Sequence, residues 1–310
     1  FAPPAIKSFT FIATKSIPIL SNKLYLSTKS NFVPQPSVDA ANLIENYSST
    51  DFLRDRGESL GEEDERTLVE LLTEQIEFAN VIILNKIDLA SQVELTTVKA
   101  VIRSLNAKAK IITTTQSRVE LDEVIGTELF NLEEAQDHPL WAQELYNFKD
   151  HIPETEEYGI TSFIFRRSEP FDPIKIHNFF QEKWPGVVRS KGFFWLSSRP
   201  DFVGEVSQAG ACVRHQGMGR WWAAVPKHQW PDGKNFEEMI VKYWNKDYGD
   251  RRQEIVFIGL KALMDEEAIR KSLESCLVTN YLGNENHFHG MDDPFPVWFP
   301  KPPDGPAEKM

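Results

Sequence analysis

The chain reads as an α/β protein in which a parallel-sheet module precedes an α+β module with a largely antiparallel sheet. Three observations carry that reading. Val81-Ile82-Ile83-Leu84 is a short, mostly β-branched run of the kind buried on both faces of a parallel sheet. A helix-length segment separates it from a second such run, Lys110-Ile111-Ile112-Thr113, and strand, helix, strand in that order makes a parallel crossover. Beyond residue 159 the order becomes strand, helix, strand, hairpin, helix, strand, helix, which suits an antiparallel sheet of the split βαβ kind.

Taken in order, residues 1–36 are broken by Pro3, Pro4, Pro18, Pro34 and Pro36 and show no period. They are assigned to no domain and are expected to be disordered or foreign to the natural protein. Val38-Asp39-Ala40-Ala41-Asn42-Leu43 reads as a strand end running into a turn. Residues 45–77 carry eleven acidic and three basic side chains and close on Leu68, Val69, Leu71, Leu72 and Ile76 at helical spacing. The strand at 81–84, a helix at about 93–105, the strand around 110–113 and a helix start at 119–125 complete a first domain over 37–132. Residues 133–158 are polar and acidic, with His138-Pro139 and His151-Ile152-Pro153, and suit a linker. The second domain, 159–282, is expected as strand 160–166, helix 173–183, strand 187–197, a hairpin region at 202–225, helix 235–244, strand 254–260 and helix 265–277. Residues 283–310, rich in Pro, Gly and Asp, read as an extended tail.

Length and composition bound the function. The 310 residues suffice for two cores, and 41% hydrophobic with 26% charged residues is ordinary for a globular chain. No apolar run is long enough to span a bilayer. A net charge of −12 argues against a general nucleic-acid binder, which would carry a basic face. Cys212 and Cys276 are too few for a disulfide framework and too far apart for a metal clip, a usage that fits a reducing, cytoplasmic setting. Charge is unevenly placed: residues 1–38 hold Lys7, Lys15, Lys23 and Lys29 and no acid. Such a start has the Ser/Thr-rich look of an organelle transit peptide without its arginines, and a sequence artefact would look the same.

The strand at 81–84 runs into Asn85-Lys86-Ile87-Asp88, at the C-terminal edge where doubly wound sheets bind ligands. A carboxylate at Asp88 can accept from the N1–H and exocyclic amine of guanine, an arrangement that adenine does not present. The amide of Asn85 can tie the base to a neighbouring loop, and the Lys86 stem can lie along the purine plane. The motif points to a guanine-nucleotide site rather than a plain solvated strand end. Residues 1–310 contain no G-x-x-x-x-G-K-[ST] phosphate loop.

Histidine offers the remaining means of holding a metal. His287-Phe288-His289, near Asp292 and Asp293, would in a strand point both imidazoles one way; a solvated tail is the competing reading. Cys212 and His215 fall three apart at the hairpin, short of the four ligands a structural zinc takes. His177, beside Phe179 and Phe180, reads as a partly buried core residue, and His138 and His151 flank the linker. Phe193-Phe194-Trp195 and Trp221-Trp222 make a core or, with rings alternating between faces, leave half of them to a partner. The run Glu62-Glu63-Asp64-Glu65 reads as a helix opening favoured by the positive end of the dipole.

Longer blocks carry a resemblance. Val38-Asp39-Ala40-Ala41-Asn42, Asp55-Arg56-Gly57, the stretch from Gly61 to Thr67, Gln75-Ile76-Glu77-Phe78-Ala79-Asn80 and the Asn85 motif resemble the second half of a CobW-type GTPase domain of the SIMIBI class of P-loop proteins. Arg118-Val119 and the run from His151 to Ile160 extend it. Trp184-Pro185-Gly186-Val187, Arg189 to Leu196, Arg199 to Glu205, Gly219 to Ala224 and Gly249 to Glu254 resemble the CobW C-terminal domain. The likeness is nearest to the zinc metallochaperone group.

That resemblance implies GTP-dependent transfer of zinc to client metalloproteins, with GTP, Mg²⁺ and Zn²⁺ involved. It implies neither nucleic acid nor membrane as partner, and leaves a homo-oligomer, and cobalt or nickel as cargo, open. It gives Asn85, Lys86 and Asp88 to the base, with a backbone amide near Thr114-Thr115-Gln116 meeting the guanine oxygen. It supplies no catalytic residue here. The phosphate loop, a Cys-x-Cys-Cys metal motif and an acidic switch segment would precede Val38, and residues 1–36 resemble none of them. Hydrolysis by these 310 residues alone is therefore not expected. The alternatives are a non-catalytic module docking a client or a homologue through its C-terminal domain, and a non-functional gene fragment with open strand edges.

Overall fold

The structure, a computed structural model, describes residues 36–56, 67–124, 127, 129, 159–288 and 290–299. Strands β1 (Ser37–Asp39), β2 (Val81–Asn85) and β3 (Lys110–Thr113) form a parallel sheet in that order, with Asp39 opposite Asn85 and Leu84 opposite Thr113. Helices α1 (Leu43–Tyr47), α2 (Leu68–Glu77) and α3 (Gln92–Leu105) lie between the strands in sequence. Thr67 and Ser91 each open a helix with a capping box: the hydroxyl accepts from the N–H of Glu70 or Glu94, whose carboxylate takes the cap N–H in return. Buried Asn106 fastens the end of α2, donating to the carbonyls of Ile76 and Ala79 while accepting from Ala109 N–H. The helix start expected at 119–125 is, among the described residues, one 3-10 turn over Leu121–Glu123. The acidic run at 62–65 lies outside the described residues, as do His138, His151 and the whole of the expected linker.

Five strands follow: β4 (Ile160–Arg167), β5 (Val187–Phe194), β6 (Phe202–Ala209), β7 (Cys212–Arg220) and β8 (Gln253–Leu260). They pair antiparallel in the order β4-β8-β5-β6-β7. Strand β5 ends three residues earlier than its sequence suggests. The Trp195 N–H is taken by the Gln253 side chain at 3.1 Å, and Leu196 bridges to Phe171 instead of continuing the ladder. Helix α4 (Pro173–Gln181) has Asp172 as N-cap and stops before Trp184-Pro185, since a residue preceding proline is pushed out of helical conformation. Helices α5 (Lys234–Tyr243), α6 (Glu266–Ser275) and α7 (Glu285–Phe288) complete the described elements.

Both faces of the antiparallel sheet are covered. On one, α4 and α6 pack on Phe165, Phe194, Ile255 and Phe257. On the other, α2 and α3 lie between the two sheets, so Val69, Ile76, Val98 and Leu105 share a core with Ile82 and Leu84 and with Val188 and Ala209. The aromatic blocks therefore serve packing. Phe194 joins the first face, Phe193, Trp195 and Trp221 join Tyr248 and Tyr281 on the second, and Trp222 is half-buried against Phe236. The alternation read from the sequence holds, yet no ring of Phe193, Phe194 or Trp195 is left for a partner.

A buried seam joins the modules. Arg189 on β5 donates from Nε to Glu77 Oε1 at 2.8 Å and from Nη1 to Ser207 Oγ, with both charged side chains under a tenth exposed. Burial opposes the Arg189 charge, but Glu77 beside it more than restores that loss and raises its pKa. The Tyr47 hydroxyl donates to Val188 O at 2.9 Å. Gly210 has φ +53 and lies so close to the Tyr47 carbonyl that a Cβ would stand 2.0 Å from it. Residues 291–299 of the tail lie along the second module. Arg199 grips Asp293 through Nε and Nη2 at 2.7 and 2.8 Å, Phe295 is buried, and Trp298 covers Gly217. No described helix is long and apolar enough to cross a membrane.

Candidate functional site

Strand β2 delivers Asn85 to the C-terminal edge of the parallel sheet, and the backbone there leaves extended geometry. Lys86 takes φ 59, and Leu89 N–H closes the turn on Lys86 O at 3.0 Å before Ser91 starts α3. The loop after β3 meets it. Asn85 Nδ2 donates to Ser117 Oγ at 2.8 Å, and Ser117 N–H donates back to Asn85 Oδ1 at 2.9 Å. Gln116 and Ser117 both adopt positive φ, and Thr114 stiffens the loop by donating from Oγ1 to Arg118 O at 2.6 Å. Positive φ is uncommon outside glycine; three such residues on two adjoining loops mark a strained, over-determined edge.

Asp88 is exposed and makes no hydrogen bond among the described residues. Lys86 Nζ stands 2.7 Å from Asp39 Oδ2, and Asp39 also accepts from Ala41 N–H and Asn42 Nδ2. Burial would raise the Asp39 carboxyl, but Lys86, Asn42 and Ala41 outweigh it and hold the group below its ordinary value. The structure thus gathers Asn85, Lys86, Asp88 and the 114–117 loop on one edge. It adds Ser117 and Asp39, which sequence reasoning missed. Asp39 stood within a recognised block, and only the parallel register brings it beside Lys86.

The metal candidates fare differently. His287 lies on helix α7 rather than on a strand; the chain coils there, with His287 N–H on Asn284 O. His289 lies outside the described residues. Cys212 and His215 share β7 three residues apart, which places their side chains on opposite faces. Cys212 Sγ contacts Ser49 O, and burial pushes its thiol up. His215 instead meets His177, with ring centroids 6.1 Å apart, and Phe295 at 4.8 Å. Burial, His177 and Arg199 lower the His215 pKa. Among the described residues no group of three or more His, Cys, Asp or Glu side chains could hold a metal ion.

A parallel sheet with an Asn-Lys-x-Asp edge, followed by a packed antiparallel module, defines an α/β nucleotide-binding protein with an appended α+β domain. The family described as "CobW/HypB/UreG, nucleotide-binding domain" matches residues 34–113, and "Cobalamin synthesis protein cobW C-terminal domain" matches residues 160–277. The chain is 37% identical over 280 residues to "Zinc-regulated GTPase metalloprotein activator 1" of Dictyostelium discoideum, covering 89% of this chain and 57% of that protein. It is 28% identical over 151 residues to "Zinc chaperone Rv0106" of Mycobacterium tuberculosis, covering 47% and 36% of the two. A solved structure, Zn(II)-bound YjiA GTPase from E. coli, aligns at 18% identity with a TM-score of 0.31, over 78% of this chain and 60% of its own, a likeness too slight to bear on the fold. The chain thus carries a match to the CobW/HypB/UreG nucleotide-binding domain ahead of a match to the CobW C-terminal domain. It spans little more than half the length of the first of these relatives.

Proposed function

We propose that the protein carrying this chain is a GTP-dependent zinc metallochaperone that reads guanine through Asn85, Lys86 and Asp88 and passes zinc to a client metalloprotein in the cytoplasm. One observation carries the base reading: both polar atoms of Asn85 are committed to Ser117, while Asp88 on the same edge is exposed and makes no hydrogen bond among the described residues. In this reading Asp88 accepts from the N1–H and amine of guanine. Asn85 holds the 114–117 loop where a main-chain N–H meets the 6-oxo group, and the Lys86 stem covers the ring. GTP supplies the phosphoanhydride whose cleavage drives release, with Mg²⁺ neutralising its phosphates. Zinc is cargo; the names of the two relatives support that choice, and no residue of this chain is assigned as its ligand.

The test is Asp88→Asn. An asparagine would accept from N1–H but turn an N–H toward position 2, where guanine carries an amine and xanthine an oxygen. The preference for GDP over xanthosine diphosphate should reverse, by about a hundredfold or more, because a mismatched buried donor is strongly rejected. An unchanged preference, measured by competition against a fluorescent guanine nucleotide, would remove the base reading.

A further inference from the structure

Lys86 is the one member of the motif whose contribution depends on where a flexible stem is held. Its backbone, at φ 59, throws the side chain out of the strand register. Its side chain is exposed, yet its ammonium has a fixed partner: it reaches Asp39, the last residue of the neighbouring parallel strand and the register partner of Asn85. The carboxylate it meets is itself fixed. Asp39 Oδ1 accepts from Ala41 N–H at 3.0 Å, and Oδ2 accepts from Asn42 Nδ2 at 2.9 Å as well as from Lys86. Such a carboxylate is a rigid post, since its own turn locks its rotamer.

We propose that Asp39 is a positioning residue for base recognition, holding the Lys86 ammonium so that its methylene stem stands ready as one wall of the guanine slot. The inference rests on the guanine reading above. Lysine loses considerable rotamer freedom when it is ordered, and a stem already tethered loses less on binding. Asp39 touches no part of the nucleotide in this account; it acts only through Lys86. The pair is partly exposed, so the gain is modest, as for other surface ion pairs.

The experiment is a double-mutant cycle on the full chain, with GDP as the probe: Asp39→Asn, Lys86→Met and the two together. Asparagine preserves the acceptor for Ala41 N–H and removes the charge. Asp39→Asn should weaken GDP binding about threefold, consistent with a partly exposed pair. Within the Lys86→Met background it should do nothing further, because the group it positions is gone. The wild-type advantage over Asp39→Asn should also shrink at high salt.

A purely structural role for Asp39 would give the same loss in both backgrounds, and that additive result overturns the proposal. Wild-type affinity in Asp39→Asn overturns it too. Asp39→Glu serves where the asparagine variant folds poorly: with the charge kept but the post lengthened, it should bind GDP more weakly than wild type only while Lys86 is present. Asp88→Asn separates the two failures. If it switches the base preference while Asp39→Asn is neutral, only the positioning role falls. If it leaves the preference unchanged, the guanine reading falls and the role of Asp39 with it.

Discussion

At the edge of the parallel sheet, Asp88 and Lys86 face solvent and three residues hold positive φ. At the seam between the modules, Arg189 and Glu77 pair with almost no exposure, and Tyr47 is locked to Val188. Both places are polar, yet they differ in what is satisfied. Each charged or polar group named at the seam has its partner inside the protein, so the seam fixes one arrangement of the two modules. Among the described residues, the edge leaves the Asp88 carboxylate without a partner beside loops that are already stiff. Unmet hydrogen-bonding capacity on a rigid frame is what a ligand can use.

Breaking the seam should have the largest effect. Arg189→Met leaves Glu77 charged, buried and alone, and should cost about 3–5 kcal/mol in urea unfolding. Replacing both partners, Glu77→Leu with Arg189→Met, should recover most of that loss, because no buried charge then lacks a partner. The same variants should leave the preference for guanine over adenine unaltered.

A smaller effect sharpens the contrast through pH. Burial pushes the Tyr47 phenol up to about 12, against an ordinary value of 10.0. Its folded-state pKa is raised, so its contribution is complete below the unfolded pKa near 10 and is lost as pH rises toward 12. Cys276, pushed up to about 11, contributes in an overlapping window but does so in any variant that keeps it. Tyr47→Phe should lose about 1 kcal/mol at neutral pH through the Val188 hydrogen bond. The stability difference from wild type should narrow between pH 10 and 12 in denaturant titrations.

Much of this was legible in the sequence because it repeats. The buried run at 81–84, the crossover to 110–113 and the later strands follow from period and turn residues, and each stands within a few positions of its expected place. Boundaries set by tertiary contacts were not legible: β5 stops where Gln253, 58 residues from Trp195, captures an N–H. The site divides the same way. Asn85 and Asp88 declare themselves by chemistry at a strand end. Ser117 looks like any loop serine until β3 is laid beside β2. Arg189 looks like an outward-facing strand residue because its partner, Glu77, is 112 residues away. The local structure at His287 was not legible either: Glu285–Phe288 forms a short helix rather than a strand, and His289 lies outside the described residues.

Amide hydrogen exchange of the full chain with and without GDP tests the central claim most directly. GDP should slow exchange at residues 85–89 and 114–118 and leave the seam strand at 187–194 unchanged, while ADP at the same concentration should slow exchange at neither edge segment. No change at the edge, protection confined to other segments, or an equal effect of ADP would contradict a guanine site built on Asn85, Lys86 and Asp88.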